Sequence, residues 1–351
     1  MTVGLDLGDR YSYLCLLDPN SGEVLEEGRL RTTPEALKRS FSTREPMRVA
    51  IEAGTHSPWA SRLLEECGHE VLVANPRKLH LIYKGKHKTD KLDAENLARL
   101  ARLDPKLLSP LKHRGETSQA HLALLRSREA LIGARTQLIN HVRGAVKSLG
   151  HRLPKCSAES FHKRAPTGIP GVLRDALGPL VETIASLTAR VKEYDFELEA
   201  MARVNYPETS LLRQIQGVGT LTALAFVLIL EDPERFGKSR AVGASYLGLV
   251  PGKDQSGQSD PQQRISKHGD EMLRRLLVGS AHYILGPFAQ DSDLRRHGLK
   301  IAQRGGKNAK KRAVVAVARK LSAILHRLWI TGEAYEPLHN AHRLAREGQI
   351  A

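Results

Sequence analysis

The first hundred residues switch between the two-residue hydrophobic period of strands and the 3.6-residue period of helices. The predicted strands are TVGLDLG, YSYLCLLD, EVLEEGRL, MRVAIEAG and HEVLVANP, and the predicted helices are SPWASRLLEECG and TDKLDAENLARLAR. Gly68 is a stop for the first of these helices, and Thr89 is a cap for the second. Three strands followed by alternating helix and strand predict a mixed α/β domain of ribonuclease-H-like layout over residues 1–103.

The middle of the chain carries two long helical patterns behind a Pro-bearing connection at residues 104–118. The first has a seven-residue repeat at Leu125, Ile132, Ile139 and Val146, each preceded by a further apolar residue: Leu124, Leu131, Leu138 and Ala145. The second places apolar residues three or four apart, at Leu177, Leu180, Ile184, Leu187, Val191, Tyr194, Leu198 and Met201. Two such seams predict an antiparallel coiled-coil arm within residues 104–205. The alternative is an ordinary helical hairpin packed on one monomer.

Residues 206–351 read as a third, mainly helical domain. It ends in the amphipathic pattern NAKKRAVVAVARKLSAILHRLW, which is strongly basic at its start.

Composition points to a polyanionic partner and a reducing compartment. The 351 residues carry a net charge of +16, which suits nucleic acid, although a basic protein with no such partner remains an alternative. The three cysteines show no CxxC spacing, so a structural zinc site is not expected. The chain opens directly into a strand pattern, and its longest apolar run, residues 221–230, is too short for a bilayer. We therefore expect a cytoplasmic protein with no membrane partner.

Four carboxylates of the N-terminal domain form the first candidate site. Asp6 and Glu52 lie in apolar strand patterns, where an ionised acid is costly unless a cation pairs with it. Asp90 and Asp93 stand three apart at the start of a helix, so both point the same way. Such acids are the hard oxygen ligands that Mg²⁺ takes in phosphoryl transfer. Each alone could be a solvent-facing acid, and Asp9 competes with Asp6.

Two Gly-rich segments of the C-terminal part are further candidates. Gly217-Val218-Gly219 stands between helical stretches, as in a helix-hairpin-helix whose backbone N–H groups bind a DNA phosphate. A tight turn with no ligand would give nearly the same pattern. A polar loop after Val250-Pro251 then holds three serines, which are Ser256, Ser259 and Ser266.

Taken together, these segments resemble the transposases of the insertion-sequence 110 family, relatives of the Piv-type DNA invertases. The matching motifs, in order along nearly the whole chain, are GLDLG, AIEAG, KTDKLDAENLARL, IQGVGTLTA, YLGLVP, SG, RISKHG, LRRLL and KKRAVVAVARKL. The resemblance implies an N-terminal RuvC-like domain, a coiled-coil arm and a C-terminal transposase domain with a serine nucleophile. The carboxylate set of the family, DEDD, falls on Asp6, Glu52, Asp90 and Asp93, and the serine falls on Ser256.

The serine loop departs from the family pattern at two places. Gln258 and Gln263 stand where the family tends to have Gly, which loosens the alignment and leaves Ser259 or Ser266 as alternative nucleophiles. The family also implies a covalent phosphoserine intermediate, Mg²⁺, a homo-oligomer (dimer or tetramer), DNA of the element ends and target, and a guide noncoding RNA. The residues assigned to nucleic-acid contact are Lys84, Lys86, Lys88, Gly217, Gly219, Lys267, Lys307, Lys310, Lys311 and Arg312. For the lysine clusters, a merely solvated surface is the alternative.

The sequence leaves three functional hypotheses. The first is a serine-dependent DNA transposase or recombinase. The second is a metal-dependent, structure-specific nuclease resembling a Holliday-junction resolvase, which cuts without a covalent intermediate. The third is a nonenzymatic nucleic-acid-binding protein descended from such an enzyme.

Overall fold

A computed structural model describes residues 1–77, 89–257, 259–261, 263–340 and 342. The chain separates into two compact units, Met1–Gly115 and Glu116–Ala351. The three-part division at residues 103 and 205 stays a prediction. Within the described residues, no helix combines the length and the apolar character needed to cross a membrane.

The N-terminal unit contains a mixed five-stranded sheet in the order β3-β2-β1-β4-β5. The strands are β1 (Thr2–Leu7), β2 (Tyr11–Leu17), β3 (Val24–Arg31), β4 (Arg48–Glu52) and β5 (Glu70–Ala74). The first three pair antiparallel, whereas β4 pairs parallel with both β1 and β5. The five predicted strands and the mixed α/β class are therefore confirmed.

In the described part of this unit, three helices cover the sheet: α1 (Pro34–Phe41), α2 (Ser57–Glu66) and α3 (Asp90–Leu103). The predicted stop and cap are confirmed, since Gly68 has a φ of +88° and the Thr89 hydroxyl accepts from the Leu92 amide at 3.3 Å. The sequence reasoning missed α1. Its signal was present, because Thr33 accepts from the Ala36 amide as an N-cap and Pro34 follows as the first helical residue.

The two faces of the sheet carry different helices. The face toward α1 and α2 is the larger core, whose members include Val3, Leu5, Leu37, Phe41, Val49, Ile51 and Leu64. The opposite face is covered by α3, where Ala50 packs with Leu97 and Leu100, and Cys15 packs with Ala94. Alternate residues of β1 and β4 therefore point to different helices.

The C-terminal unit is helical, and one of its helices is buried over all but its first two residues. Its helices are α4 (Glu116–Ser148), α5 (Phe161–Arg164), α6 (Arg174–Asn205), α7 (Glu208–Leu212), α8 (Thr220–Leu230), α9 (Glu271–Leu285), α10 (Asp293–Gln303) and α11 (Ala309–Thr331). Every residue from Thr222 to Leu230 is buried, which explains why α8 has no polar face in the sequence.

The two long helices α4 and α6 pack antiparallel, because Arg128 pairs with Asp195 at 2.6 Å and Arg135 with Thr188 at 3.5 Å. Of the predicted repeat, Leu125, Ile139 and Val146 are buried and Ile132 is half-buried. The preceding residues Leu124, Leu131, Leu138 and Ala145 are half-buried, and Leu124, Leu138 and Ala145 pack against the apolar clusters. The contact also includes a line that was not predicted, Arg128, Arg135 and Val142, three residues after the first three repeat positions. Polar residues therefore fill the middle of this hairpin, between apolar clusters at its two ends.

Candidate active site and nucleic-acid interface

The ends of two neighbouring strands bring Asp6 and Glu52 together. Strands β1 and β4 run parallel with Leu5 opposite Ile51, and Asp6 and Glu52 are the next residues on each strand. Parallel strands present their carboxyl ends at the same sheet edge. Asp6 and Glu52 therefore lie side by side at that edge.

The first turn of α3 lies at the same edge. A Cβ on Gly4 would be 1.9 Å from the Ala94 carbonyl oxygen, so α3 packs on the face of Gly4, and Asp6 is two residues further along that face. Arg48, at the start of β4, donates to the Ala101 carbonyl at 3.2 Å, so the end of α3 lies at the beginning of the strand. Its beginning, with Asp93, consequently lies near the strand ends.

We name Asp6, Glu52, Asp90 and Asp93 at this edge the carboxylate edge. Asp6, Glu52 and Asp93 are half-buried, whereas Asp90 is exposed. Among the described residues, no three His, Cys, Asp or Glu side chains are gathered closely enough to enclose a metal ion. Mg²⁺ commonly uses only one or two protein carboxylates and completes its shell with water and substrate phosphates, so this donor set fits Mg²⁺ held jointly with a nucleic acid.

Two histidines beside this edge were missed by the sequence reasoning. His56 follows Glu52 by four residues, and its Nε2 is 3.7 Å from Asp9 Oδ1 in the loop after β1. The Asp9 side chain is 94% exposed, unlike the half-buried Asp6 with which it competed. His113 Nε2 lies 2.8 Å from Ser57 Oγ. Burial, and then the charges of Arg62 and Arg114, lower the pKa of His113, which favours its neutral form.

The predicted serine loop is a β-hairpin, which we name the serine hairpin (residues 248–268, apart from 258 and 262). In its stem, the Ser266 amide donates to the Val250 carbonyl at 2.8 Å, and the Gly252 amide donates to the Arg264 carbonyl at 2.9 Å. At its tip, Ser256 and Ser259 exchange backbone hydrogen bonds of 3.1 and 2.9 Å. This reciprocal pair fixes the backbone of both serines.

The hairpin separates the three serine candidates by position. Ser256 and Ser259 are exposed at the tip, beside Gly257, whose φ is +56°. Ser266 is half-buried in the stem, where its hydroxyl donates to the Gly248 carbonyl at 3.4 Å. The two tip hydroxyls are therefore accessible to a large substrate, and that of Ser266 is turned to its own stem.

Close backbone contact fixes the base of the serine hairpin. It explains why glycine stands at Gly248 of the YLG motif and at Gly269 of the KHG motif. A Cβ on Gly269, which has a φ of +75°, would be 1.8 Å from the Tyr246 carbonyl oxygen. The buried Arg274 guanidinium donates to the carbonyls of Leu247 at 3.2 Å and His268 at 2.9 Å. Lys267 is exposed at this base with a φ of +57°, which is unusual for a side chain with a Cβ.

The Gly217-Val218-Gly219 turn joins α7 to α8, as the sequence indicated. Gly217 has a packing role, because its φ is +93° and a Cβ there would be 2.9 Å from Tyr283 Cδ1. Gly219 precedes the first residue of α8, and a Cβ there would meet open space. Of the two glycines, only Gly219 therefore lies at a helix N-terminus, where a hydrogen bond with Thr220 lowers the pKa of the Glu199 carboxyl.

A basic cluster surrounds the start of α11. Lys307, Lys310, Lys311 and Arg312 are all exposed, and the first turn of the helix holds no acidic residue. Cations at a helix N-terminus oppose the helix dipole, so this arrangement favours an external anion that compensates both charges. The predicted contacts Lys84, Lys86 and Lys88 lie outside the described residues.

Comparisons with known proteins cover both units. A family model for the DEDD transposase domain matches residues 3–150, and a second, described as the transposase IS116/IS110/IS902 family, matches residues 209–292. The transposase for insertion sequence element IS1111A of Coxiella burnetii is 31% identical over 95% of this chain and 90% of its own length. A probable family 20 transposase of Pseudomonas aeruginosa is 28% identical over 95% and 98%. The transposase for element IS1328 of Yersinia enterocolitica is 30% identical over 80% and 82%.

These likenesses define the protein as a transposase, an enzyme that moves an insertion sequence and therefore acts on DNA. In particular, the chain belongs to the IS110 family of transposases.

Proposed function

We propose that this transposase cuts and rejoins DNA with Ser256 as nucleophile and with Mg²⁺ at the carboxylate edge of a RuvC-like N-terminal domain. The observation that supports a serine at this place is the tip of the serine hairpin, where a reciprocal backbone pair holds two exposed serines, Ser256 and Ser259. We choose Ser256 because the resemblance places the family serine in the Ser256-Gly257 step. A fixed backbone lowers the entropic cost of aligning its hydroxyl with a phosphodiester.

The reaction we propose is a transesterification. Ser256 Oγ attacks the phosphorus, a bond from Oγ to phosphorus forms, and the bond to one deoxyribose oxygen breaks. The hydroxyl proton leaves Ser256, and the departing deoxyribose oxygen gains a proton to become a free hydroxyl. Attack of a deoxyribose hydroxyl on the phosphoserine reverses these steps and joins DNA.

The carboxylate edge supplies the ligands for this chemistry. Of Asp6, Glu52, Asp90 and Asp93, one or two at a time would hold Mg²⁺, which when bound would stabilise charge on the phosphate and on the leaving oxygen. Carboxylates facing a DNA phosphate without a cation would repel it. The half-buried positions of Asp6, Glu52 and Asp93 limit the freedom of these ligands before substrate binds.

The proposal also covers the nucleic-acid and protein partners of this chain. We infer that DNA of the element ends and target, and a guide noncoding RNA, bind through the basic start of α11 together with Lys267 and the amides at Gly219. We further infer that the α4–α6 hairpin acts as a coiled-coil arm within a homo-oligomer, a dimer or a tetramer. Its central polar pairs, Arg128–Asp195 and Arg135–Thr188, would fix the register of the two helices.

The test is a denaturing gel that retains covalent protein–DNA adducts. Purified protein is incubated with element-end DNA, Mg²⁺ and RNA transcribed from the flanks of the element. We expect an adduct with the wild type, none with Ser256→Ala, and an undiminished adduct with Ser266→Ala. Ser259→Ala is the matched control, because Ser259 shares the tip, the exposure and the backbone pair.

Each alternative has a distinct result. An adduct lost only in Ser259→Ala would identify Ser259, and not Ser256, as the nucleophile. Free cleaved ends with both tip variants would indicate the metal-dependent nuclease. Binding without cleavage, unaffected by Asp6→Asn or Ser256→Ala, would indicate the nonenzymatic binding protein.

A further inference from the structure

We propose that His56 is a DNA-contacting residue of this site, a neutral imidazole that donates its Nε2 hydrogen to a backbone phosphate oxygen at the carboxylate edge. This inference rests on the proposed function, since it assumes that the carboxylate edge is where DNA is processed.

His56 lies between the two strand ends that carry the carboxylates. It belongs to the loop that leaves β4 at Glu52, and its Nε2 faces Asp9 of the loop that leaves β1 after Asp6. Its side chain is 29% exposed, so the ring is partly held by the protein and partly open to a ligand.

Trp59 selects the tautomer of His56. The indole Nε1–H of Trp59 donates to His56 Nδ1 at 3.2 Å, and the two rings meet edge to face at 6.1 Å. An indole nitrogen only donates, so Nδ1 must be the acceptor, and the single hydrogen of the neutral ring must reside on Nε2. The ring therefore presents an Nε2–H donor toward Asp9, beside the carboxylate edge.

The turn behind His56 holds the ring in place. The neighbouring Ser57 is completely buried, and its hydroxyl accepts from the Gly54 amide at 2.9 Å and lies 2.8 Å from the Gly54 carbonyl. His113 Nε2 approaches the same hydroxyl at 2.8 Å. The backbone from Gly54 to Ser57 is therefore fixed, and the donor position varies little before DNA binds.

With a divalent cation offsetting the charge of the carboxylates, a phosphate oxygen is a suitable acceptor for this donor. The nearest carboxylate oxygen of Asp9 is 3.7 Å away, which is longer than a hydrogen bond, and its side chain is almost fully exposed. The Nε2–H group therefore has room to donate to a closer acceptor. Helix α2 begins at the next residue, and the positive end of its dipole adds a preference for an anion.

The experiment measures DNA affinity with Ca²⁺ in place of Mg²⁺, so that binding is separated from chemistry. We compare the wild type with His56→Ala, with His56→Gln, which keeps an N–H donor, and with His151→Ala, an exposed histidine of the other unit. We expect His56→Ala to weaken binding about 3- to 10-fold, the effect of one hydrogen bond. His56→Gln should recover part of this loss, and His151→Ala should have no effect.

A methylphosphonate scan of the DNA identifies the partner. Each methylphosphonate replaces one charged phosphate oxygen. At one or two positions this replacement should weaken binding of the wild type but not weaken binding of His56→Ala further, because that variant already lacks the contact. Equal losses in both proteins at every position, or an effect of His56→Ala no greater than that of His151→Ala, would overturn the proposal. If His56→Ala weakened binding but the wild type formed no covalent adduct through Ser256 on the same DNA, the serine mechanism would be refuted and the role of His56 would stand.

Discussion

Gly4 of β1 lies directly against the backbone of α3, where a Cβ would be 1.9 Å from the Ala94 carbonyl oxygen and 2.5 Å from the Ala98 amide nitrogen. A Cβ has no rotamer, and the atoms that it would meet belong to the helix backbone, so no side-chain movement could relieve this contact. The approach of α3 to the sheet, and with it the position of Asp93 relative to Asp6, therefore depends on a residue without a side chain.

Gly4→Ala should therefore displace α3 from the sheet. We expect the free energy of unfolding to fall by about 3 kcal/mol or more, the upper end for overpacking, and activity that depends on the carboxylates to fall with it. Gly28→Ala is the matched control, because Gly28 also lies in a strand and a Cβ there would meet nothing within 4 Å. Urea unfolding of both variants checks this. Equal stability of the two would contradict the packing of α3.

The sequence predicted the local features of the N-terminal unit well, because strand and helix periods, Gly68 and the Thr89 cap act over a few residues. The order of the carboxylates along the chain was likewise visible. Their shared face was not, because it depends on how α3 crosses the sheet at Gly4. The same holds for His56, whose neighbour Asp9 is 47 residues away in sequence but lies in the loop after the adjacent strand.

In the C-terminal unit, the polar seam of the α4–α6 hairpin escaped prediction because hydrophobic periodicity does not detect buried arginines. Arg135 is 3% exposed, yet an arginine is usually assigned to a solvated face. The sequence placed the family serine at Ser256 but left Ser259 and Ser266 open as alternatives. Their separation into tip and stem requires the pairing of residues 250 and 266, which spacing alone does not reveal.

Arg274→Met should loosen the serine hairpin without touching a serine. The substitution removes the donors to the carbonyls of Leu247 and His268, and each buried acceptor left unsatisfied costs about 1–3 kcal/mol. We expect a lower free energy of unfolding and a larger loss in adduct formation. Arg275→Met is the control, because Arg275 is 60% exposed and pairs with Glu129 at the surface. If both variants formed adduct at the wild-type rate, Arg274 would not position the hairpin.

The stability of the N-terminal unit should decrease in mild acid. The pKa of His113 is lowered from its ordinary 6.5 by burial and by Arg62 and Arg114. Below pH 6.5 the unfolded chain therefore binds a proton that the folded chain does not, and the free energy of unfolding falls until the pH reaches the folded pKa. Above pH 7 this contribution is fully present.

His113→Gln tests this assignment, since glutamine does not titrate and still reaches Ser57 as a hydrogen-bonding group. Urea unfolding at pH 8, 7, 6 and 5.5 should show a shallower decline for the variant. His297 lies in the C-terminal unit, and its pKa is lowered by burial and by Lys320 and other cations. It remains in both proteins, so the decline that it adds to the unfolding of its own unit is common to both. Parallel pH profiles for the two proteins would rule out His113 as the source.

Charge reversal at the start of α11 should weaken nucleic-acid binding and reduce its salt dependence. Lys310→Glu with Lys311→Glu removes two exposed cations, and each phosphate contact contributes about one unit to the slope of log affinity against log salt. We expect the slope to fall by about two. Filter binding or fluorescence anisotropy at several salt concentrations measures it.

The control for this prediction is Lys38→Glu with Lys106→Glu, two exposed lysines of the N-terminal unit. Both double variants lower the net charge by 4 from +16, since each Lys→Glu changes it by 2. A difference between them therefore reports position rather than total charge, because long-range attraction depends on net charge while counterion release depends on contact. If both pairs flattened the slope equally, the start of α11 would be part of a general basic surface and not the place where nucleic acid binds.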